Sequence, residues 1–128
     1  SGTVTAYVSV DTRNSTARTI TLAPASPGIF PNAILNQDFS VNTASTPALS
    51  GSVIQIFLTG LPAQGAPVTV KIHDYTVTPL YAGAAPGFIG LQQVNAEVPA
   101  TLQSVTSDLA VCWGDICSPT RPVTVRQP

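Results

Sequence analysis

The sequence predicts an all-β fold: an immunoglobulin-like Greek-key β-sandwich with an extra N-terminal β-hairpin. Three observations lead there. Twelve prolines and nine glycines are spread through 128 residues, and proline inside a helix removes a hydrogen bond and clashes with the preceding turn. No segment sustains apolar residues at helical spacing, whereas apolar–polar alternation recurs. Turn residues return about every 8–12 positions, as in sandwich folds.

The elements follow in order. Thr3–Val10 places Val4, Ala6, Val8 and Val10 on one face. After a turn through Asp11–Asn14, Thr16–Leu22 places Ile20 and Leu22 on one face. Pro24 and Pro27 mark a linker or strand switch. Gly28–Phe30 reads as a short edge strand. Ala33–Asn36 and Phe39–Asn42 flank a Gln37-Asp38 turn and read as a hairpin. Ser52–Leu58 is mostly apolar, as expected of a strand at the centre of a sheet. In Val68–Ile72, Val68, Val70 and Ile72 point inward, and Thr69 and Lys71 outward. Tyr75–Tyr81, Leu91–Val98, Leu109–Trp113 and Pro122–Arg126 complete the set. The chain divides into a hairpin at 1–22 and a sandwich at 23–128.

Ser15–Leu22 recurs in related form at Ser118–Val125, a constant offset of 103 residues. Each copy follows an alternating strand and a polar turn. Residues 1–22 thus read as the terminal hairpin of a preceding sandwich, or as an arm that adds to another copy. Strand–turn–strand sequences also resemble one another in all-β proteins generally.

Composition narrows the function. Charged residues are 9% of the chain and the net charge is −1, so no basic footprint for nucleic acid or anionic membrane exists. Hydrophobic residues at 44% argue against disorder. No apolar run approaches the roughly 20 residues that span a bilayer, and no signal-peptide pattern is present. Cys112 and Cys117 flank Gly114-Asp115, so a hairpin can bring the sulfurs together. A disulfide is expected, which implies an oxidising compartment; two free thiols or a weak metal pair are the alternatives.

At Pro27-Gly-Ile-Phe30 the chain meets a family it resembles. APASPGIF ending at Phe30, ALSGSVIQIFLTGL over Ala48–Leu61, YAGAAPGFIGLQQVNAEVP over Tyr81–Pro99 and the last strand pair with Ser118 resemble a C-terminal domain of secreted proteins from Solibacter and related Acidobacteria. The resemblance covers most of residues 16–128. It implies an immunoglobulin-like module at the end of large extracellular proteins, and no activity. In Leu80–Gly90 the residues read as turn chemistry, with Gly83, Gly87 and Gly90 permitting positive φ and Gln92, Gln93 and Asn95 tying the loop down; a ligand-binding loop is the alternative.

Catalytic chemistry is sparse. His73 is the one histidine and Glu97 the one glutamate; the aspartates (11, 38, 74, 108, 115) fall mostly in turns, where their local hydrogen bonding places them. Asp74 beside His73 is expected to face the opposite way on a strand. Lys71 and Glu97 alternate out of phase with the inward residues, against an internal isopeptide bond. No hydrolase motif or phosphate loop occurs, and no metal or cofactor is expected. Trp113, Tyr7, Tyr75 and Tyr81 are the candidate sugar-stacking residues, and Trp113 has a second reading, packing beside the disulfide. The expected role is a secreted, non-enzymatic structural or adhesive module. Its expected partners are other copies, joined through the apolar face of the hairpin, or neighbouring domains of a larger extracellular protein. A glycan-binding module is the alternative.

Overall fold

The computed structural model describes residues 4–8, 18–22, 25–62 and 66–128. The strands are β1 (Val4–Val8), β2 (Arg18–Leu22), β3 (Gly28–Leu35), β4 (Ala48–Leu49), β5 (Val53–Thr59), β6 (Val68–Ile72), β7 (Tyr75–Val77), β8 (Tyr81–Ala84), β9 (Gln92–Glu97), β10 (Val105–Trp113), β11 (Ile116–Cys117) and β12 (Arg121–Arg126). They form two packed sheets, one in the order β3-β5-β9-β8, the other β4-β12-β10-β6-β7 with β11 also on β10. Among the described residues only the β4–β12 pair is parallel. β1 and β2 make a separate antiparallel pair, with Val4 opposite Leu22 and Val8 opposite Arg18. The hairpin read at 1–22 is therefore present as paired strands; Val10 lies outside the described residues.

The core is what alternation dictates. Ile54, Ile56 and Leu58 of β5 and Val94 and Ala96 of β9 face Val70, Ile72, Leu109, Val111, Trp113, Val123 and Val125 across the seam. Each fully buried aliphatic side chain contributes about 1.5–3 kcal/mol. β5 lies between β3 and β9, the central place its apolar sequence required. Lys71 and Glu97 are exposed on different sheets, one on β6 and one on β9.

Departures from the sequence reading have local causes. Tyr75–Tyr81 is not one strand. It breaks at Thr78–Leu80, and β7 and β8 join opposite sheets; Pro79 supplies no ladder donor there. Gly28–Phe30 and Ala33–Leu35 are one edge strand across a register shift between Ile29 and Ile34, with Asn32 at φ 55°. An edge position tolerates Pro31. The hairpin expected at 33–42 reduces to a turn and an isolated Leu35–Val41 bridge. Asn42 instead reaches β12: Thr124 N–H donates to its Oδ1 at 2.8 Å, and its Nδ2 donates to Thr124 O at 2.9 Å. The side-chain amide thus takes the place of a neighbouring peptide group on β12. Buried Asn36 completes the tie, accepting from Asn42 Nδ2 and donating to Ser40 Oγ and Thr46 O.

The segment read as a linker is docked from Ala25 onward. Ala25 and Pro27 are buried, and Ser26 N–H donates to Gly60 O at 3.0 Å. Gly60 has φ 92°, and a Cβ there would lie 1.9 Å from Ser26 O. Both the left-handed backbone and the close approach require glycine. Gly60→Ala is expected to lower unfolding free energy by about 1–3 kcal/mol. Urea unfolding checks this, as a lower midpoint with an unchanged slope.

Candidate functional site

Among the described residues the titratable groups assemble only one polar constellation of note. His73 occupies the β6–β7 turn at φ 54°. Its Nδ1 lies 3.0 Å from Ser107 Oγ and its Nε2 lies 3.6 Å from Asp74 Oδ2. The expectation that Asp74 faces away from His73 is corrected. β6 ends at Ile72, so the two residues form a turn and strand alternation does not apply to them. The Asp74 side chain is 92% exposed, so solvent screens its hold on the ring. Asp38 is turn chemistry: the Ser40 hydroxyl, then the Ser40 backbone N–H, hold its carboxyl below the usual aspartate range. Among the described residues no three His, Cys, Asp or Glu side chains gather to hold a metal ion.

Cys112 and Cys117 stand opposite each other on β10 and β11 and are joined, with S–S 2.00 Å. The hairpin turns at Gly114, φ 57°, whose N–H donates to Pro67 O at 2.9 Å. Buried Ser118 closes the same end, its Oγ accepting from Val111 N–H and its own N–H donating to Val111 O. On β10, alternation sends Cys112 to one face and Trp113 to the other, with Leu109 and Val111. Trp113 is 7% exposed and part of the core. That burial corrects its reading as a sugar-contact residue, because a stacking residue must present its ring face. Its Nε1–H has no hydrogen-bond partner among the described residues.

The surface departs from an ordinary one along β8. β8 ends its sheet. Leu80, Tyr81, Phe88 and Ile89, in and beside this strand, are all exposed, Ile89 completely. Gly87 and Gly90, at φ 83° and 78°, turn the loop that carries Phe88 and Ile89 outward. Gly83 lies within β8 with no positive φ, so its expected role in chain reversal is not the one it plays. Gln92 does not tie this loop down either. It clamps Leu61 instead, accepting from its N–H at 2.8 Å and donating to its O at 2.6 Å.

Beside β8 a groove of about 530 Å³ opens between the two sheets, with Val68 of β6 on one wall and Ala82, Gly83 and Ala84 on the other. Ala82 pairs with buried Val94, so it is on the core-facing side of the sheet, yet it is exposed. The sandwich is open along this flank.

The predicted self-association residues Val4, Ala6 and Val8 lie in β1, and Ile20 and Leu22 in β2. The β8 flank falls in Leu80–Gly90, read from the sequence as turn chemistry with a ligand-binding loop as the alternative, and not as a site of self-association. Its signal was available, because no charged residue occurs from Tyr75 to Ala96 while Leu80, Phe88 and Ile89 sit among turn residues. No protein-family model, curated protein or solved structure matches the chain.

A core role for Trp113 is directly measurable. Trp113→Ala is expected to cost about 3–5 kcal/mol of stability. Trp113→Phe, which removes the unpartnered donor and keeps a ring, is expected to cost clearly less. Thermal or urea unfolding of both variants checks the order.

Proposed function

We propose that this chain is a non-enzymatic, immunoglobulin-like structural module of the extracellular space, which associates with other copies through its N-terminal hairpin. The observation that carries the reading is the hairpin itself. Among the described residues β1 and β2 pair with each other and with no strand of the sandwich. Their sequence nevertheless alternates apolar residues along Val4, Ala6 and Val8. A two-stranded hairpin alone is marginal in water, so such a unit is stabilised by finding a further sheet.

Three further features support the reading. The order β3-β5-β9-β8 opposite β4-β12-β10-β6-β7 follows the A-B-E-D and G-F-C-C′ arrangement of immunoglobulin sheets. The Cys112–Cys117 disulfide suits an oxidising compartment. A chain with 9% charged residues has little self-repulsion to keep copies apart. The resemblance to secreted acidobacterial modules points the same way, and admits neighbouring domains of a larger extracellular protein as partners. The glycan-binding alternative loses Trp113, which is buried, and keeps exposed Tyr81 as a candidate stacking residue.

Full-length protein is expected to form concentration-dependent assemblies by light scattering and electron microscopy. Protein lacking residues 1–22 is expected to be a folded monomer by the same measurements and by circular dichroism. A strictly monomeric full-length chain at high concentration contradicts the proposal.

A further inference from the structure

We infer that the β8 flank is the acceptor for this association: the hairpin of a second copy adds along β8 and fills the groove between β8 and β6. The inference rests on the hairpin-mediated association proposed above and specifies where the partner docks.

The flank has the form of a sandwich with one strand too few. β7 pairs only with Val70, Lys71 and Ile72 of β6. Val68 and Thr69, which pair with β10 on one side, therefore have no strand partner on the other. Across the gap, β8 pairs with β9 on one side and, among the described residues, with no strand on the other; its Ala84 carbonyl accepts from the Tyr81 hydroxyl at 2.6 Å. The lining of the groove between them includes the short side chains of Ala66, Ala82 and Ala84 together with Val68 and Leu61. Short residues leave depth for the larger apolar side chains of an incoming strand. Leu80, Phe88 and Ile89 form an exposed apolar rim.

The other sheet edges are poorer acceptors. β3 is interrupted by a register shift, and its Ile29 carbonyl accepts from Arg121 Nε at 3.0 Å. β4 has two residues and β7 three. Proteins usually protect an exposed edge with charge, proline or a bulge. β8 has none of these, and the chain is uncharged from Tyr75 to Ala96. An apolar, uncharged acceptor selects an apolar, uncharged strand. β1 is one, since Ser1–Val10 carries no charged side chain. Its five residues extend about 17 Å at strand rise, enough to run the length of four-residue β8. Strand addition then supplies main-chain hydrogen bonds from the ladder and specificity from alternate side chains in the groove. Each copy both donates a hairpin and offers a flank, so the contact is head-to-tail and propagates unless it closes into a ring.

The test compares four full-length proteins by sedimentation velocity over a range of concentrations, with circular dichroism confirming the fold. They are the parent, Val8→Lys in the donor, Ala82→Lys with Ala84→Lys in the acceptor, and Thr76→Lys on the β7 edge. Ala82, Ala84 and Thr76 are exposed, so these lysines are compatible with the folded monomer. An unpaired charge in the buried contact is strongly unfavourable. The donor and acceptor variants are expected to need at least about tenfold higher concentration to assemble, with Thr76→Lys matching the parent. If Val8→Lys abolishes assembly while the Ala82/Ala84 variant assembles like the parent, the β8 acceptor is wrong and hairpin association stands. If the parent is monomeric throughout, both fall.

Discussion

The molecule depends on one apolar seam, the layer of aliphatic side chains between β5 and β9 on one sheet and β6, β10 and β12 on the other. Ile54, Ile56, Leu58, Val70, Ile72, Val94, Leu109 and Val111 are wholly buried there. The low charge of the chain leaves few ion pairs to share this work, and the polar ties that exist serve the ends of the seam. Asn42 finishes the β12 edge, Gln92 clamps Leu61, and Ser118 and the disulfide close the β10 hairpin. The seam sets the sheets in place; these local ties then satisfy backbone groups where strands stop.

Where the seam ends, the surface acquires its character. On the flank bounded by β3 and β12, Arg121 and Asn42 bridge the two sheets with hydrogen bonds to backbone. On the flank bounded by β8 and β6 no comparable bridge occurs among the described residues, and Ala82 on the core-facing side meets solvent. The same physics that requires the core to be dry thus leaves one margin of it wet. Before the sandwich the chain also carries β1 and β2, whose sequence alternates apolar residues and which, among the described residues, pair with no other strand. Ser1–Val10 and Tyr75–Ala96 both lack charged side chains, and the proposed contact draws on that likeness.

Much of the fold was legible in the sequence because alternation and burial are the same statement read twice. Val68–Ile72 and Ser52–Leu58 were recognisable from that pattern alone, and so was the Cys112–Cys117 hairpin from its Gly-Asp turn. Less legible were the features set by long-range pairing. The N-terminal half of β10, Val105–Asp108, is too polar to advertise a strand, and is held by β12. The division of Tyr75–Tyr81 between two sheets follows from Pro79 and from which edge each half meets. At the site, the donor hairpin could be read from Val4, Ala6 and Val8. The proposed acceptor carried as its signal only the uncharged run from Tyr75 to Ala96; that Ala82, Phe88 and Ile89 stay exposed is a matter of how the strands pack. Trp113 shows the converse: a lone tryptophan near a loop invites a ligand reading, and only its position on the core side of β10 removes it.

Amide hydrogen exchange measured on the full-length protein at low and high concentration probes the donor and acceptor together. Protection at Ala82–Ala84 and at Val4–Val8 should rise together with concentration, while the amides of β5 and β10 stay equally slow throughout. Protection at those two segments that is independent of concentration, or a rise confined to a different sheet edge, would contradict strand addition at β8.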